Sequence, residues 1–167
     1  CFSHQTTSIG SRSTLEIGQK YAIQKQGMTS PARIHFAIGM DYLKANFFEE
    51  AIYEFSQSVR ENPKMTQARN NLAFALIRNQ RPEEAFSHLK KAEKLTKGML
   101  ETQNLLGLAY FLTGNIERAI DYFEFATTIN PNHPTSYQYL YQIYTKIRRN
   151  PEKAQSYAKK LQSLATQ

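Results

Sequence analysis

The sequence predicts an all-α fold, an α-solenoid of stacked helical repeats, and three observations lead to that class. Four segments, which begin at Ala32, Thr66, Leu100 and Pro134, repeat the same residue types at a 34-residue step. Each segment has room for two short helices, which bury their apolar faces only by stacking on neighbouring segments. Two columns of recurring residues mark the step: Tyr42, Leu76, Tyr110 and Tyr144, and Ala51, Ala85 and Ala119.

Capping signals and turn residues predict the individual helices. Ser13 and Glu16 have capping-box spacing, so we expect a short helix over 14–26. Ser30 before Pro31 predicts the start of the array, with a side-chain oxygen for free N–H groups and a proline where no N–H is needed. Helices of about 13 to 15 residues then alternate across four turns. These turns are expected at 45–47, 79–82, 113–115 and 148–151.

The predicted domain organisation follows from these signals. Residues 1–13 are rich in Ser and Thr and are expected to form a flexible tether. Residues 14–30 are the short capping helix and a linker, and residues 31–167 form the array. Its last helix is expected near 151–166. The four repeats are placed near 32–65, 66–99, 100–133 and 134–166.

The fourth repeat departs from the pattern of the others. Tyr141 stands where Gly39 and Gly107 allow two helices to approach closely, and Ala154 comes one residue late. The extra residue falls within 148–151. We interpret the two changes as one compensated change, in which a longer turn tilts the last helix and makes room for the phenol ring.

A longer pattern is shared by the first and third segments: an apolar residue and Gly, then Tyr, then Ala-x3-Phe, then Pro. Its residues are Ile38, Gly39, Tyr42, Ala51, Phe55 and Pro63, then Leu106, Gly107, Tyr110, Ala119, Phe123 and Pro131. This pattern resembles the tetratricopeptide repeat, over residues 32 to about 165. The resemblance implies a right-handed superhelix of about four helix-turn-helix repeats that serves as a scaffold for protein interactions.

The resemblance also indicates where a ligand would bind, because ligands in this family usually lie along the concave surface made by the first helix of each repeat. If Gly39 and Tyr42 face the paired helix, the neighbouring stripe at i, i+4 and i+7 faces the ligand. The predicted groove residues are Phe36, Met40, Leu43, Asn70, Phe74, Ile77, Asn104, Leu108, Phe111, Gln138 and Gln142.

This stripe has an apolar floor and a ladder of amides formed by Asn70, Asn104 and Gln138. Such a surface suits a peptide or an amphipathic helix, with Phe74 and Leu108 as central anchors. The alternative is that superhelical twist hides part of the stripe in the core. A chaperone-type carboxylate clamp is excluded, since only Asn71 matches it.

Composition argues against catalysis and against a membrane-spanning helix. The mean hydropathy is −0.57, and no apolar run approaches the length of a membrane span. None of the four histidines has metal-ligand spacing with another His, Cys or acid. The acidic pairs Glu49–Glu50 and Glu83–Glu84 fall at the starts of second helices, where they favour the helix dipole. We therefore expect no enzymatic activity, cofactor, metal or small-molecule substrate.

The net charge of +7 is concentrated near one end of the chain. Residues 146–160 carry six basic side chains and the single acid Glu152. Nucleic acid is one interpretation of this basic pole, because Lys and Arg release counterions from phosphate. We favour a solvated face attracted to acidic protein or anionic headgroups, since no nucleic-acid motif accompanies the charge. The basic residues are Lys146, Arg148, Arg149, Lys153, Lys159 and Lys160.

The one cysteine of the sequence, Cys1, predicts a lipid anchor, since a mature bacterial lipoprotein has Cys at its N-terminus. With the repeats, it makes the chain similar to small tetratricopeptide lipoproteins of Gram-negative outer membranes, especially pilotins of type IV pilus assembly. That resemblance implies a periplasmic location on the outer membrane, reached only through the lipid, and a secretin partner, although those proteins usually have six repeats. The alternatives are a periplasmic adaptor for cell-wall enzymes, a cytoplasmic secretion chaperone and a nucleic-acid-associated protein.

Overall fold

A computed structural model describes residues 14–17, 19–20 and 30–166 of the protein. Every regular element in those residues is helical, which confirms the predicted all-α class. The helices are α1 (Pro31–Lys44), α2 (Phe48–Glu61), α3 (Thr66–Arg78), α4 (Pro82–Leu95), α5 (Leu100–Leu112), α6 (Ile116–Ile129), α7 (Pro134–Gln142) and α8 (Pro151–Ala165), with a π-helical turn (Ile143–Ile147) after α7.

The four predicted turns fall between the helices where the sequence places them. Three residues separate the helices at 45–47, 79–81, 113–115 and 148–150. In each turn one residue adopts a left-handed conformation, with φ between 49° and 82°. The four are Asn46, Gln80, Gly114 and Arg149, so only one of these turns uses glycine at that position.

The chain divides into two compact units, residues 1–81 and 82–167. In the first unit α1 packs against α2 and α2 packs against α3. A glycine on α1 makes the first of these contacts close. A Cβ added to Gly39 would lie 2.8 Å from two ring atoms of Phe55, which is fully buried on α2. The apolar-Gly and Ala-x3-Phe parts of the repeat pattern therefore form one contact between two helices.

The described residues before α1 are helical and lie against α1. The hydroxyl of Tyr42 donates a hydrogen bond to the carbonyl oxygen of Thr14 at 3.4 Å, and Lys20 forms an ion pair with Asp41 at 2.7 Å. The rest of the helix predicted over 14–26 lies outside the described residues, as does the predicted tether.

The start of α1 confirms one capping prediction and corrects another. α1 begins at Pro31, and Ser30 is its N-cap residue with extended backbone angles. The side chain of Ser30, however, makes no capping hydrogen bond. Its backbone carbonyl accepts hydrogen bonds from the N–H groups of Arg33 and Ile34 instead. Side-chain caps are found at Asn115 and Asn150, which accept from N–H groups in the first turns of α6 and α8.

The second unit contains α4 to α8. α5 packs against α4 and α6, and α7 packs against α6 and α8. Gly107 on α5 repeats the arrangement of the first unit, since a Cβ there would lie 2.7 Å from the ring of Phe123. One cluster of buried side chains joins α6, α7 and α8, formed by Ala119, Ile120, Phe123, Leu140, Ile143, Tyr144 and Ala154.

The extra residue of the fourth repeat lies in the π-helical turn, and the loop that follows is no longer than the others. Asn115 donates its backbone N–H to the carbonyl of Tyr110, five residues earlier. The equivalent bond at the end of the π turn runs from Asn150 to Tyr144, six residues earlier. The predicted longer turn over 148–151 is therefore wrong, because the helix itself takes up the insertion by widening.

No helix among the residues that the structure describes has the length and apolar character needed to span a bilayer. Those same residues contain no group of three or more His, Cys, Asp or Glu side chains suited to a metal ion.

Candidate functional site

In each unit, partly buried residues on the first helices of the repeats are the best candidates for a binding surface. These residues share one register of the 34-residue step, two residues before the Tyr or Leu column. They lie beside the helix face that packs inside the repeat, so part of each side chain stays accessible. They are Met40 on α1, Phe74 on α3, Leu108 on α5 and Gln142 on α7.

Two of the predicted groove residues are buried instead. Asn70 has no exposed surface and Ile77 is 6% exposed. The accessible face of α3 is rotated by about one residue from the predicted stripe and contains Asn71, Phe74 and Arg78. The prediction for Asn70 and Ile77 is therefore wrong, because neighbouring residues on a helix point about 100° apart and a one-residue error moves a side chain into the core.

The other predicted groove residues keep some contact with solvent. Gln138 on α7 is exposed, and the rest are partly buried. The partly buried ones are Phe36, Met40 and Leu43 on α1, Phe74 on α3, Asn104, Leu108 and Phe111 on α5, and Gln142 on α7.

The amides do not form the predicted ladder. Asn70 is in the core, and the side-chain oxygen of Asn104 accepts a hydrogen bond from the hydroxyl of Ser136 at 2.7 Å. That bond ties α5 to α7 inside the second unit. Of the three predicted amides, Gln138 alone has an exposed side chain. A ligand would therefore meet few backbone-binding amides here and would depend more on apolar contacts.

In the first unit, aromatic rings and an arginine form the accessible surface. The ring of Phe36 lies 5.8 Å from that of Phe55, which holds it against the core. The guanidinium of Arg78 lies 4.9 Å from the ring centre of Phe48 and 5.8 Å from that of Phe74. Sequence reasoning missed Arg78, although it stands four residues after Phe74 on the same helix face.

The charge around this surface of the first unit is mainly positive. Arg33, Lys44 and Arg78 are exposed on α1 and α3, while Asp41 is engaged by Lys20. Arg69 does not contribute, since its buried guanidinium donates two hydrogen bonds to the carbonyl of Pro63, at 2.7 and 2.9 Å. Burial also lowers the pKa of Arg69 below its ordinary value. Arg69 therefore stabilises the turn before α3 through these two hydrogen bonds.

In the second unit the surface is apolar. Leu108 and Phe111 pack against the buried cluster, and the ring of Phe111 lies 6.0 Å from that of Tyr139. Tyr139 stacks in turn on Phe123 at 4.7 Å, and burial raises the pKa of its hydroxyl. Leu112, at the end of α5, is half exposed. Sequence reasoning missed Leu112 and Tyr139. In the 34-residue repeat, Leu112 occupies the same position as Arg78, and Tyr139 occupies the same position as Asn71.

The basic pole lies on the π turn, the loop after it and α8. Lys146 is in the π turn, and Arg148 and Arg149 are in the loop. Arg148 forms an ion pair with Glu117, at the start of α6. The other three basic residues, Lys153, Lys159 and Lys160, are on α8. The predicted lipidation site, Cys1, lies outside the described residues.

Each unit has a cleft on its surface. A cleft of about 340 Å³ in the first unit is lined by Tyr42, Glu49, Glu50, Tyr53 and Glu54. Burial first, and then Glu54 and Glu50, raise the pKa of Tyr42, so its hydroxyl keeps its proton. An open cleft of about 550 Å³ in the second unit is lined by the turn 113–115, the start of α6, the end of the π turn and Arg148.

The comparisons with known proteins agree with the repeat geometry. Residues 64–132 match the family model of the tetratricopeptide repeat. The match takes in the second repeat and nearly all of the third. No curated protein matches the chain at a significant level. The resemblance inferred from the glycine, tyrosine and alanine columns is thus confirmed over residues 64–132, while the likeness to pilotins stays a prediction.

Solved structures of tetratricopeptide repeat proteins share the fold at low sequence identity. MamA is 19% identical with a TM-score of 0.78, and the match covers 94% of this chain and 93% of MamA. YrrB, described as having an unusual peptide-binding site, is 20% identical with a TM-score of 0.72, over 92% and 80% of the two chains. The first such domain of Spaghetti (RPAP3), bound to the HSP90 peptide SRMEEVD, is 22% identical with a TM-score of 0.68, over 71% and 94%.

Proposed function

We propose that this protein is a non-catalytic scaffold that binds a peptide or helix of a partner protein on the first helices of its repeats. The observation that carries the proposal is the accessible column of Met40, Phe74 and Leu108, which repeats at one register on three successive first helices. An accessible apolar side chain on the first helices of each unit suits a ligand that binds through an apolar anchor. YrrB, which has a peptide-binding site, and RPAP3, which is bound to an HSP90 peptide, share this fold.

The charges of the first unit indicate the kind of anchor that fits there. Arg78 lies over Phe48 and Phe74, and Arg33 and Lys44 are exposed on α1. A ligand segment with an apolar side chain between carboxylates would contact the rings through the apolar group and form an ion pair with Arg78. In the second unit the half-exposed Leu112 extends the apolar surface of Leu108 and Phe111, so a purely apolar anchor fits better.

The test is the capture of peptides from a displayed random library by the purified protein. Phe74→Asp and Leu112→Asp place a carboxylate on the proposed surface and should each abolish capture of the enriched peptides. Phe125→Asp is a matched control, since Phe125 is 49% exposed on a second helix and Leu112 is 50% exposed on a first helix. Circular dichroism checks that all three variants remain helical. Equal capture by wild type and the three folded variants would overturn the proposal.

A second proposal concerns the location of the protein in the cell and the identity of its partner. We propose that the scaffold is anchored by a lipid on Cys1 at the periplasmic face of the outer membrane, where it assists assembly of an envelope complex such as a type IV pilus secretin. The support is the sequence resemblance to small lipoproteins and the protein-binding fold.

Intact mass and membrane fractionation of the full-length gene product in a Gram-negative host test the location, with Cys1→Ser as control. We expect lipid mass on wild type and loss of membrane association in the variant. A soluble wild type without lipid would contradict the location, and a cytoplasmic chaperone would then be the better hypothesis. Failure of this test would leave the peptide-binding proposal standing, because the two depend on different residues.

A further inference from the structure

Two lysines on α8 lie over two tyrosines, one on α7 and one in the π turn that continues it. The ammonium of Lys153 lies 4.8 Å from the ring centre of Tyr144 and 3.1 Å from its hydroxyl. Lys160, seven residues later, lies 5.7 Å from the ring centre of Tyr137, seven residues before Tyr144. Tyr157 fills the space between, with its ring 5.7 Å from Tyr144 and 6.3 Å from Tyr137. We call these five residues the lysine–tyrosine ladder.

The ladder holds two positive charges at a defined spacing. Residues seven apart on one helix lie on the same face about 10 Å from each other. Cation–π contacts restrict each ammonium without neutralising it. The hydrogen bond from Lys153 to Tyr144 raises the pKa of Lys153, so the ammonium stays protonated at neutral pH. The two charges are thus placed before any ligand arrives, which lowers the entropy cost of binding.

One acid, Glu124, lies beside the ladder, where it accepts a hydrogen bond from the hydroxyl of Tyr157 at 3.2 Å and contributes to the raised pKa of Lys153, so basic residues still outnumber acids on this surface. Of the six basic residues of the pole, Arg148 alone forms an ion pair with a carboxylate of the described residues. Lys146, Arg149 and Lys159 are exposed, and Glu152 is the single acid between 146 and 160. Arg149 holds a left-handed conformation with φ of 49°, next to a π-helical turn. Such irregular backbone is common at functional sites.

The surroundings of the ladder favour an acidic polypeptide over other anions. Tyr137 and Tyr144 are 9% and 7% exposed, so their rings cannot stack on the bases of a single-stranded nucleic acid. The exposed side chains of α8 are polar or small, and Ile147 is the one large exposed aliphatic side chain within residues 146–160, so a lipid surface would find little apolar area to bury there. The hydroxyls of Ser156 and Ser163 lie on the same side of α8 as the cations and can bond to a peptide backbone.

We propose that the α7–α8 face binds an acidic segment of a partner protein, with carboxylates seated on Lys153 and Lys160. This surface is separate from the first-helix column of the proposed function, since its ammonium groups belong to the last helix. The partner is defined here by its chemistry, a run of Glu or Asp that can place two carboxylates about 10 Å apart.

An oligo-glutamate peptide of about 15 residues is a suitable probe, because in helical form it would span roughly 22 Å. Binding to the whole protein is measured by fluorescence anisotropy at low and high salt. The double variant Lys153→Gln with Lys160→Gln should weaken binding roughly two- to thirtyfold, the range expected for two exposed ion pairs. The double variant Lys91→Gln with Lys94→Gln removes the same charge from exposed positions on α4 and should bind like wild type.

Four results would overturn the proposal. Equal weakening by both double variants would mean that the peptide responds only to net charge. A single-stranded oligonucleotide of equal charge could bind more tightly than the peptide and lose affinity in the α8 variant, which would assign the surface to nucleic acid. The same result with phosphatidylglycerol vesicles would assign it to a membrane. Salt-sensitive self-association that the α8 variant removes would make a second copy of the chain the occupant.

Discussion

Gly107 offers the sharpest test of how the repeats are packed, through the change Gly107→Ala. The new Cβ would lie 2.7, 2.8 and 2.9 Å from Cε1, Cδ1 and Cζ of Phe123. Carbon atoms prefer about 3.5–4.0 Å, so the ring would have to move by roughly 0.8 Å. Phe123 is fully buried and stacks on Tyr139 at 4.7 Å, which restricts that movement.

Two opposing effects determine the expected change in stability. Overpacking of a core costs about 1–3 kcal/mol. Alanine in place of glycine inside a helix contributes about 1 kcal/mol in the other direction. Because the ring at Phe123 has little space to move, we expect the upper part of the first range and a net loss of about 1–2 kcal/mol in the free energy of unfolding.

Urea unfolding followed by circular dichroism measures the effect, and a double-mutant cycle isolates its cause. In a Phe123→Leu background the ring is gone, so Gly107→Ala should stabilise by about 1 kcal/mol through helix propensity. The sign of the effect should therefore reverse between the two backgrounds. The packing argument would be refuted if Gly107→Ala stabilised the wild-type protein, or if it had the same effect with Phe or Leu at position 123.

Two further predictions concern pH and the turns. Burial first, and then Glu124, raise the pKa of Tyr157, whereas an unfolded tyrosine ionises near pH 10. The stabilisation linked to Tyr157 is therefore complete below about pH 10 and is lost as the pH rises through the pKa of the folded state. Above pH 10 the Tyr157→Phe variant should lose less stability than the wild type. Alkaline unfolding followed by tyrosinate absorbance measures the difference. Arg149→Gly should stabilise the protein by up to about 1 kcal/mol, because glycine adopts a left-handed conformation without strain. Gly114→Ala should destabilise it by about 1 kcal/mol for the opposite reason, although nothing lies within 4 Å of the added Cβ. Thermal unfolding measures both changes, and opposite signs would contradict the strain argument.

Much of the fold could be predicted because its signals are local and repeated. The Gly and Phe columns predict a close helix contact, and the structure places Phe55 against Gly39 and Phe123 against Gly107. Turn residues gave all four connections, since a helix ends where the pattern of apolar residues stops. The side-chain cap at Ser30 could not be predicted reliably, because a hydroxyl and a backbone carbonyl compete for the same N–H groups.

The candidate site was harder to predict than the fold. The register of Met40, Phe74 and Leu108 was found because it follows from the Gly and Tyr face. The burial of Asn70 and the bond between Asn104 and Ser136 depend on how α3 and α5 pack against other helices, which periodicity does not specify. A polar residue in a repeated column is equally compatible with a ligand-facing amide and with a buried hydrogen bond.

The fourth repeat shows why an insertion was detected from the sequence but placed in the wrong element. Count and spacing place one extra residue after Tyr144, yet they do not say whether a loop or a helix accepts it. A longer loop would have left the hydrogen bonds of α7 intact. The π turn keeps both Tyr144 and Ala154 in the buried cluster, so widening the helix preserves the core contacts that a shift along the chain would lose.

The same repeat exchanges its large and small residues. Tyr141 and Ala158 occupy the positions of Gly107 and Phe123, so the ring has moved from the second helix to the first. Tyr141 is 40% exposed, and its phenol is only partly accommodated between the helices. The space that the sequence analysis predicted for the phenol ring of Tyr141 is therefore only partly present. The π turn also carries Tyr144, whose hydroxyl accepts a hydrogen bond from the ammonium of Lys153 at 3.1 Å, so the element that takes up the insertion forms part of the lysine–tyrosine ladder.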